Sequence, residues 1–521
     1  MKDIILIDTT WIHYLQTFKY SLENINGKNS LQILLEKLSK LNIDKLLLLP
    51  PKNELDDSIK AAIEIAKNFN IATEFSKIVV RNKKEQLETL SIFLSNNNYE
   101  NIILLYSDSP FIDIDELLKL YNLHKEGKAE YTFGDNYAEG LVPEILSRNF
   151  IEKVKEKNYK KPDILSRKVF DCIEDDINKY FIEVQVAEKD FSIKRFELTA
   201  SSKRNIEIIK NLKKFVDFNC SYIDLFNAIE EHPEILHIFP RYVEIEITNN
   251  CNLNCSFCPR IKMNRKVEDM HFSLFKKIID QLASAYDDII VSFTLMGEPT
   301  MHPFFVEFVD YAINSKIFNI IIETNGTLFN NELIKNLSSY PIDKLTILFG
   351  IDAINSATYN KLRASYDGKN YFETVCNNIK NFLEYRSENR LRTFIQIIKM
   401  EDNKKELEDF YKFWEKFTGN IVIQKYNNYL NLLPDREIAD FTPLDRVPCW
   451  HLQRDIEIFS NGSVPLCKQD INCSKLIGNL NNETIIEIWE KLKKYYIENA
   501  KFNFNDIKEC SICDEWWTFN F

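Results

Sequence analysis

Cys251, Cys255 and Cys258, in NNCNLNCSFCPR, carry the strongest chemical signal in the chain. A C-x3-C-x2-C run offers three thiolates, one fewer than a closed tetrahedral metal site needs. Three thiolates around a cubane iron–sulfur cluster leave one iron with a free position, and a free position is where chemistry happens. Alone, the triplet also suits part of a zinc site. A second set, Cys449, Cys467, Cys473, Cys510 and Cys513, crowds the C-terminal end. Cys172, Cys220 and Cys376 stand apart and read as small apolar residues of the core.

These residues need a scaffold. From Arg241 onward YVEIEIT, DIIVSFTL, FNIIIET, KLTILFGI, TFIQIIKM and NIVIQKY read as strands, with helical patterns such as SLFKKIIDQLASAY and NYFETVCNNIKNFLEYR between them. Six βα repeats with right-handed crossovers predict a partial barrel, whose active site lies at the C-terminal ends of the strands. The polar motifs fall at those ends. The cysteine loop follows the first strand, and MGEP, with Gly297, Glu298 and Pro299, ends the second. ETNGT, with Thr324, Asn325 and Gly326, ends the third; Asp352 follows the fourth; Gln396 lies on the fifth. Singly, GEP and TNG are turn chemistry, and Asp352 with Arg363 of YNKLRAS makes an ordinary surface ion pair.

In combination and order these residues resemble the radical S-adenosylmethionine (radical SAM) enzymes, with Phe257 as the aromatic of the C-x3-C-x-aromatic-C signature. The resemblance implies a 4Fe–4S cluster on Cys251, Cys255 and Cys258, its open iron chelated by the amino and carboxylate groups of SAM. It implies SAM contacts from Gly297, Glu298 and Pro299, and from Thr324, Asn325, Asp352, Arg363 and Gln396. Glu298 would meet the SAM amino group and Arg363 the methionine carboxylate. An electron donor such as a flavodoxin or ferredoxin, and a 5′-deoxyadenosyl radical that abstracts hydrogen from a substrate, complete the implied chemistry. Gly350 stands where the family usually has Ser, which removes the expectation of a hydroxyl contact there.

Near the C-terminus IEIFSNGSVPLC predicts a strand–NG–strand hairpin that returns Cys467 beside Cys449. Gly462 with Cys467, as G-x4-C, and the trailing Cys510-x2-Cys513 resemble the SPASM extension of radical SAM enzymes. The resemblance implies an auxiliary 4Fe–4S cluster on Cys449, Cys467, Cys510 and Cys513; Cys473 is left over and either replaces one of the four or is idle, the idle reading being preferred. Structural zinc would use the same four ligands. SPASM proteins commonly modify peptides or proteins, so a peptide or protein is the implied substrate class.

At 521 residues the chain predicts several domains. Residues 1–150 show a βαβα rhythm and resemble the nucleotidyltransferase (cytidylyltransferase-like) fold. Asp108 after a central strand would help hold a metal ion and nucleotide. The Gly-rich phosphate loop of those enzymes is missing, since DTTWIHYLQTFKYSLENINGKNS has one glycine, so a degenerate binding or assembly domain is expected. Residues 151–238 read as a mixed helical connector, 239–430 as the partial (β/α)6 barrel and 440–521 as a small cysteine-rich cluster domain. The fold class is α/β, and the architecture resembles the spiro-SPASM proteins. A nucleotide- or sugar-transferring enzyme with an accessory cluster domain, or a non-catalytic iron–sulfur or zinc scaffold, are the rival functions. A net charge of −12 argues against nucleic acid and anionic membrane as partners. No apolar run is long enough to span a membrane, and the protein is expected to be cytoplasmic.

Overall fold

The six strands expected after Arg241 all form, side by side and parallel. The computed structural model describes residues 4–8, 18–41, 46–49, 64–65, 67–68, 73–75, 83–97, 99–156 and 167–518. It divides into two units, Met1–Ile238 and Phe239–Phe521.

In the second unit β8 (Tyr242–Ile245), β9 (Ile290–Phe293), β10 (Asn319–Thr324), β11 (Leu345–Gly350), β12 (Thr393–Lys399) and β13 (Ile421–Lys425) lie in chain order. A seventh strand, β14 (Asp455–Ile458), adds parallel to β8 at the sheet's other edge. Alternation sorts the side chains by face. Val243, Ile245, Val291 and Phe293 are buried on the outer face, where Phe293 meets Phe275 of helix Phe272–Ala285 with ring centroids 5.7 Å apart. Phe275 in turn lies 4.3 Å from Phe308 of helix Phe305–Asn314. Each fully buried ring contributes roughly 1.5–3 kcal/mol. The inner face carries Tyr242 and Glu244 of β8, with Ser292 of β9 in register beside Glu244.

The expected hairpin is corrected. The chain does reverse at Asn461-Gly462, where the Phe459 N–H bonds the Ser463 carbonyl and Gly462 has φ +81°. The two arms nevertheless pair elsewhere: β14 completes the parallel sheet, while β15 (Ser463–Val464) runs antiparallel to β16 (Gly478–Asn479). A turn signal fixes reversal, whereas longer-range packing chooses the partners. Helix Ile485–Ala500 follows, opened by a Thr484–Glu487 capping box.

The first unit holds a mixed sheet in the order β3-β2-β1-β4-β6-β5-β7. Its strands are β1 (Ile4–Asp8), β2 (Leu46–Leu49), β3 (Thr73–Phe75), β4 (Asn101–Tyr106), β5 (Tyr131–Asp135), β6 (Glu144–Ser147) and β7 (Ile182–Val186). The connector reading of 151–238 is corrected here, because β7 comes from that segment and pairs with β5. The same segment supplies Arg167, which changes the role of Asp108. Arg167 grips both Asp108 oxygens, at 2.7 and 2.5 Å, and its Nε lies 3.1 Å from Glu139. With its oxygens taken by a guanidinium, Asp108 does not present the open carboxylate that a metal ion requires. Residues 9–17, part of the segment searched for a phosphate loop, lie outside the described residues. Among the described residues, no helix is long and apolar enough to cross a membrane.

Candidate functional site

The cysteine loop begins just beyond β8 and is held from two sides. Its Asn254 and Ser256 N–H groups donate to the carbonyls of Ala364 and Leu362, at 2.6 and 2.9 Å. Arg260 Nε donates to the Asn249 carbonyl at 2.8 Å. Leu253, Cys255 and Phe257 then pack with Leu362, Met400, Tyr426 and Leu433, and Cys251, Cys258 and Tyr429 border this cluster. Burial, chiefly, pushes all three thiols up, Cys251 to about 11 with the Glu298 charge adding to the effect. Buried thiols ionise readily only beside a positive centre, so three of them on one loop suit a thiolate-ligated cluster in their chemistry, while among the described residues no group of three or more Cys, His, Asp or Glu is drawn together closely enough to hold a metal ion.

Glu298 is 2% exposed and ties the ends of β9 and β10 together. Its Oε1 accepts from Thr324 Oγ1 at 2.7 Å and from the Thr300 hydroxyl and N–H at 2.6 and 3.2 Å; its Oε2 accepts from the Asn325 N–H at 2.7 Å. Burial raises its carboxyl and these donors oppose the rise. The carboxylate expected to meet a ligand's amino group is thus already engaged by four protein donors. Gly297, with φ +98°, would overlap the Thr248 carbonyl if it carried a Cβ, so glycine lets the second strand end approach the first. Pro299 opens the short 3-10 turn Pro299–Met301.

Asn325 links this end to the cysteines. Its Nδ2 donates to Asn252 Oδ1 at 2.9 Å and lies 3.9 Å from Cys251 Sγ, within hydrogen-bond range for sulfur. Asn252 in turn donates to Thr327 Oγ1 at 2.8 Å. Asn252 and Thr327 escaped the sequence reading, although both sit inside the two motifs.

Asp352 and Arg363 form a buried ion pair, with side chains 0% and 10% exposed. Arg363 Nε and Nη2 lie 2.7 and 2.5 Å from Asp352 Oδ2, and Asp352 Oδ1 accepts from the Ile398 N–H at 2.6 Å. The surface-pair alternative is therefore corrected. The absence of serine at 350 acquires a reason too: a Cβ on Gly350 would lie 2.6 Å from Arg363 Nη2. Gln396 is buried on β12, beside Gly350 and Val422 in register.

Cys449, Cys467, Cys510 and Cys513 line one cavity, together with Lys468, Glu515 and Trp516. Burial is the main cause that raises all four thiols, Cys513 to about 12, and Cys510 and Cys513 add to the rise at Cys449 and Cys467. Asn499, on helix Ile485–Ala500, accepts the Cys449 N–H at 2.6 Å. Cys473 is not among the lining residues; it faces Asp470 and Arg265. The eleven cysteines are all free thiols.

Residues 245–413 match the radical SAM superfamily, and residues 449–514 match SPASM, an iron–sulfur cluster-binding domain. An uncharacterised protein of Treponema pallidum is 30% identical over 370 residues, which span 68% of this chain and 98% of that protein. The chain belongs to the radical SAM superfamily. A radical SAM domain binds a 4Fe–4S cluster and SAM, and a SPASM domain implies auxiliary iron–sulfur clusters. The tungsten-containing aldehyde ferredoxin oxidoreductase cofactor-modifying protein of Pyrococcus furiosus is 23% identical over 301 residues, 53% of this chain and 80% of that protein. Among solved structures, a cytidylyltransferase of Leptospira borgpetersenii has TM-score 0.39 and 22% identity, over 45% of this chain and 96% of that one. SuiB of Streptococcus suis, bound to precursor peptide SuiA, has TM-score 0.42 and 15% identity, over 60% of this chain and 83% of that one.

Proposed function

We propose that this radical SAM enzyme holds its SAM-binding cluster on Cys251, Cys255 and Cys258 and an auxiliary 4Fe–4S cluster on Cys449, Cys467, Cys510 and Cys513, and acts on a peptide or protein. The observation that carries the reading is the polar chain Cys251–Asn325–Glu298, which joins the cysteine loop to the ends of β9 and β10. Cys251, Cys255 and Cys258 would hold the cluster with one iron left open, and when bound it would supply the electron for reductive cleavage of SAM and, through it, hydrogen abstraction from substrate.

The chain's own contribution is position and exclusion of water. Asn325 orients Cys251, and Glu298 keeps Asn325 and Thr324 at the mouth. On this reading the Gly297–Pro299 backbone and Gln396 border the SAM pocket. Asp352 holds Arg363 over the loop, where its guanidinium lies 5.5 Å from the Phe257 ring centre and lowers the thiol of Cys255 against burial. Four thiols around one cavity leave an auxiliary cluster no open position, which suits electron relay. In the first unit, the engaged Asp108 supports a degenerate nucleotidyltransferase-like domain used for binding or assembly, as in the spiro-SPASM architecture.

Anaerobic reconstitution with iron and sulfide, followed by SAM and dithionite, tests the reading. The wild type releases 5′-deoxyadenosine and C255A releases none. A fully loaded wild type that releases none would return the protein to the scaffold alternative.

A further inference from the structure

The inner face of the second unit's sheet carries more carboxylates than cations. Register sets Glu457 of β14 beside Glu244 of β8, Glu244 beside Ser292 of β9, and Ser292 beside Ile321 of β10. Glu323, two residues beyond Ile321, shares that face. Glu244 and Glu457 are buried and Glu323 is partly accessible. Asp455, on the same face of β14, already has Arg454 and His451 as partners. Lys468 is the cation common to Glu244, Glu323 and Glu457; Arg454 also reaches Glu244 but is bound to Asp455.

Among the described residues, Glu244 Oε2 is buried with no hydrogen-bond partner. Burial, first, and neighbouring carboxylates hold Glu457 well above the ordinary range, and Glu244 is pushed up in the same way. Three carboxylates around one lysine, with an oxygen left unpaired, lack a positive charge. The face also adjoins both cysteine sets. Glu323 precedes Thr324, which bonds Glu298, and Lys468 lines the C-terminal cysteine cavity. Tyr429 packs beside the cysteine loop and is influenced by Cys258, Glu515, Glu244 and Glu323 together.

We propose that this face, between the two cysteine sets, binds a cationic group of the substrate, an amine or guanidinium, through Glu244, Glu323 and Glu457. The proposal rests on the radical SAM reading of the site and names its substrate class: a basic side chain or a small amine rather than a neutral or acidic one. Charge-assisted hydrogen bonds from such a group to fixed carboxylates supply both affinity and orientation.

Isothermal titration of the cluster-loaded protein with SAM present tests it, using N-acetyl-lysine methylamide and N-acetyl-arginine methylamide against the neutral norleucine analogue. At least one basic probe binds the wild type about tenfold more tightly than norleucine, and the preference disappears in E323Q and E457Q. Both variants melt no lower than the wild type, since each loses a repelling carboxylate, which separates lost binding from lost folding. Equal affinities in the wild type, a preference kept in both variants, or no saturation by about 10 mM of either basic probe would overturn the proposal. A protein that prefers the basic probes yet releases no 5′-deoxyadenosine overturns the enzyme reading and leaves this one standing.

Discussion

Gly350 shows how one missing side chain can report a neighbour's position. The backbone there needs no left-handed conformation, so the reason for glycine is space, and Arg363 fills that space. A serine would press its Cβ onto Nη2 and force the guanidinium away from Asp352. Breaking a buried pair leaves an uncompensated charge at a cost of up to about 3–5 kcal/mol, and partial displacement costs less. G350A and G350S should therefore both lower the melting temperature by similar amounts, with the serine hydroxyl giving no advantage; an unchanged G350A melt would remove the steric account. Residue motifs were legible because cysteine spacing, GEP and TNG are short and local. Their working partners were less so: that Glu298 bonds Thr324 and Asn325, or that Arg363 is locked to Asp352, depends on strand ends brought together by the sheet.

Strands β8 to β13 announce themselves by apolar runs between amphipathic helices, and all six appear in the expected order. What the runs hide is their second face. Glu244 in YVEIEIT, Glu323 in FNIIIET and Glu457 in DIEIF each interrupt an apolar strand, a signal that was available and points inward. β7 and Arg167 were missed for the opposite reason, since a charge-rich segment carries little periodicity and its pairing with β5 is long-range. The acidic face has a measurable consequence. Burial, together with Asp455 and Glu323, pushes Glu244 from an ordinary carboxyl value up to about 7. The folded state then binds its proton more tightly than the unfolded state does. Stability therefore falls as pH rises from the unfolded value toward 7, and the full penalty, about 3 kcal/mol at most, applies above it. E244Q has no such penalty, so its melt should exceed that of the wild type by several degrees at pH 8 and converge with it near pH 4.5; a gap independent of pH would contradict the assignment.

Across the whole molecule the two cysteine sets share one unit but differ in kind. The first has three thiols on a loop at the strand ends, and the second has four around a cavity closed by a helix and the C-terminal segment. Metal content distinguishes the readings of each set independently. Two cubane clusters load the wild type with about eight irons per chain, four to each site. A zinc in the second set would instead give about four irons and one zinc. C467S removes a ligand from the cavity, so a second cluster predicts a fall to about four irons without loss of zinc. C473S should retain about eight, because Cys473 faces Asp470 and Arg265 rather than the other four thiols. If C473S lost iron as C467S does, the ligand set would have to include Cys473 and the chain between Cys467 and Cys473 would have to fold differently when loaded. Iron and zinc measured together on wild type, C255A, C467S and C473S therefore assign Cys255, Cys467 and Cys473 to their sites without reference to any substrate.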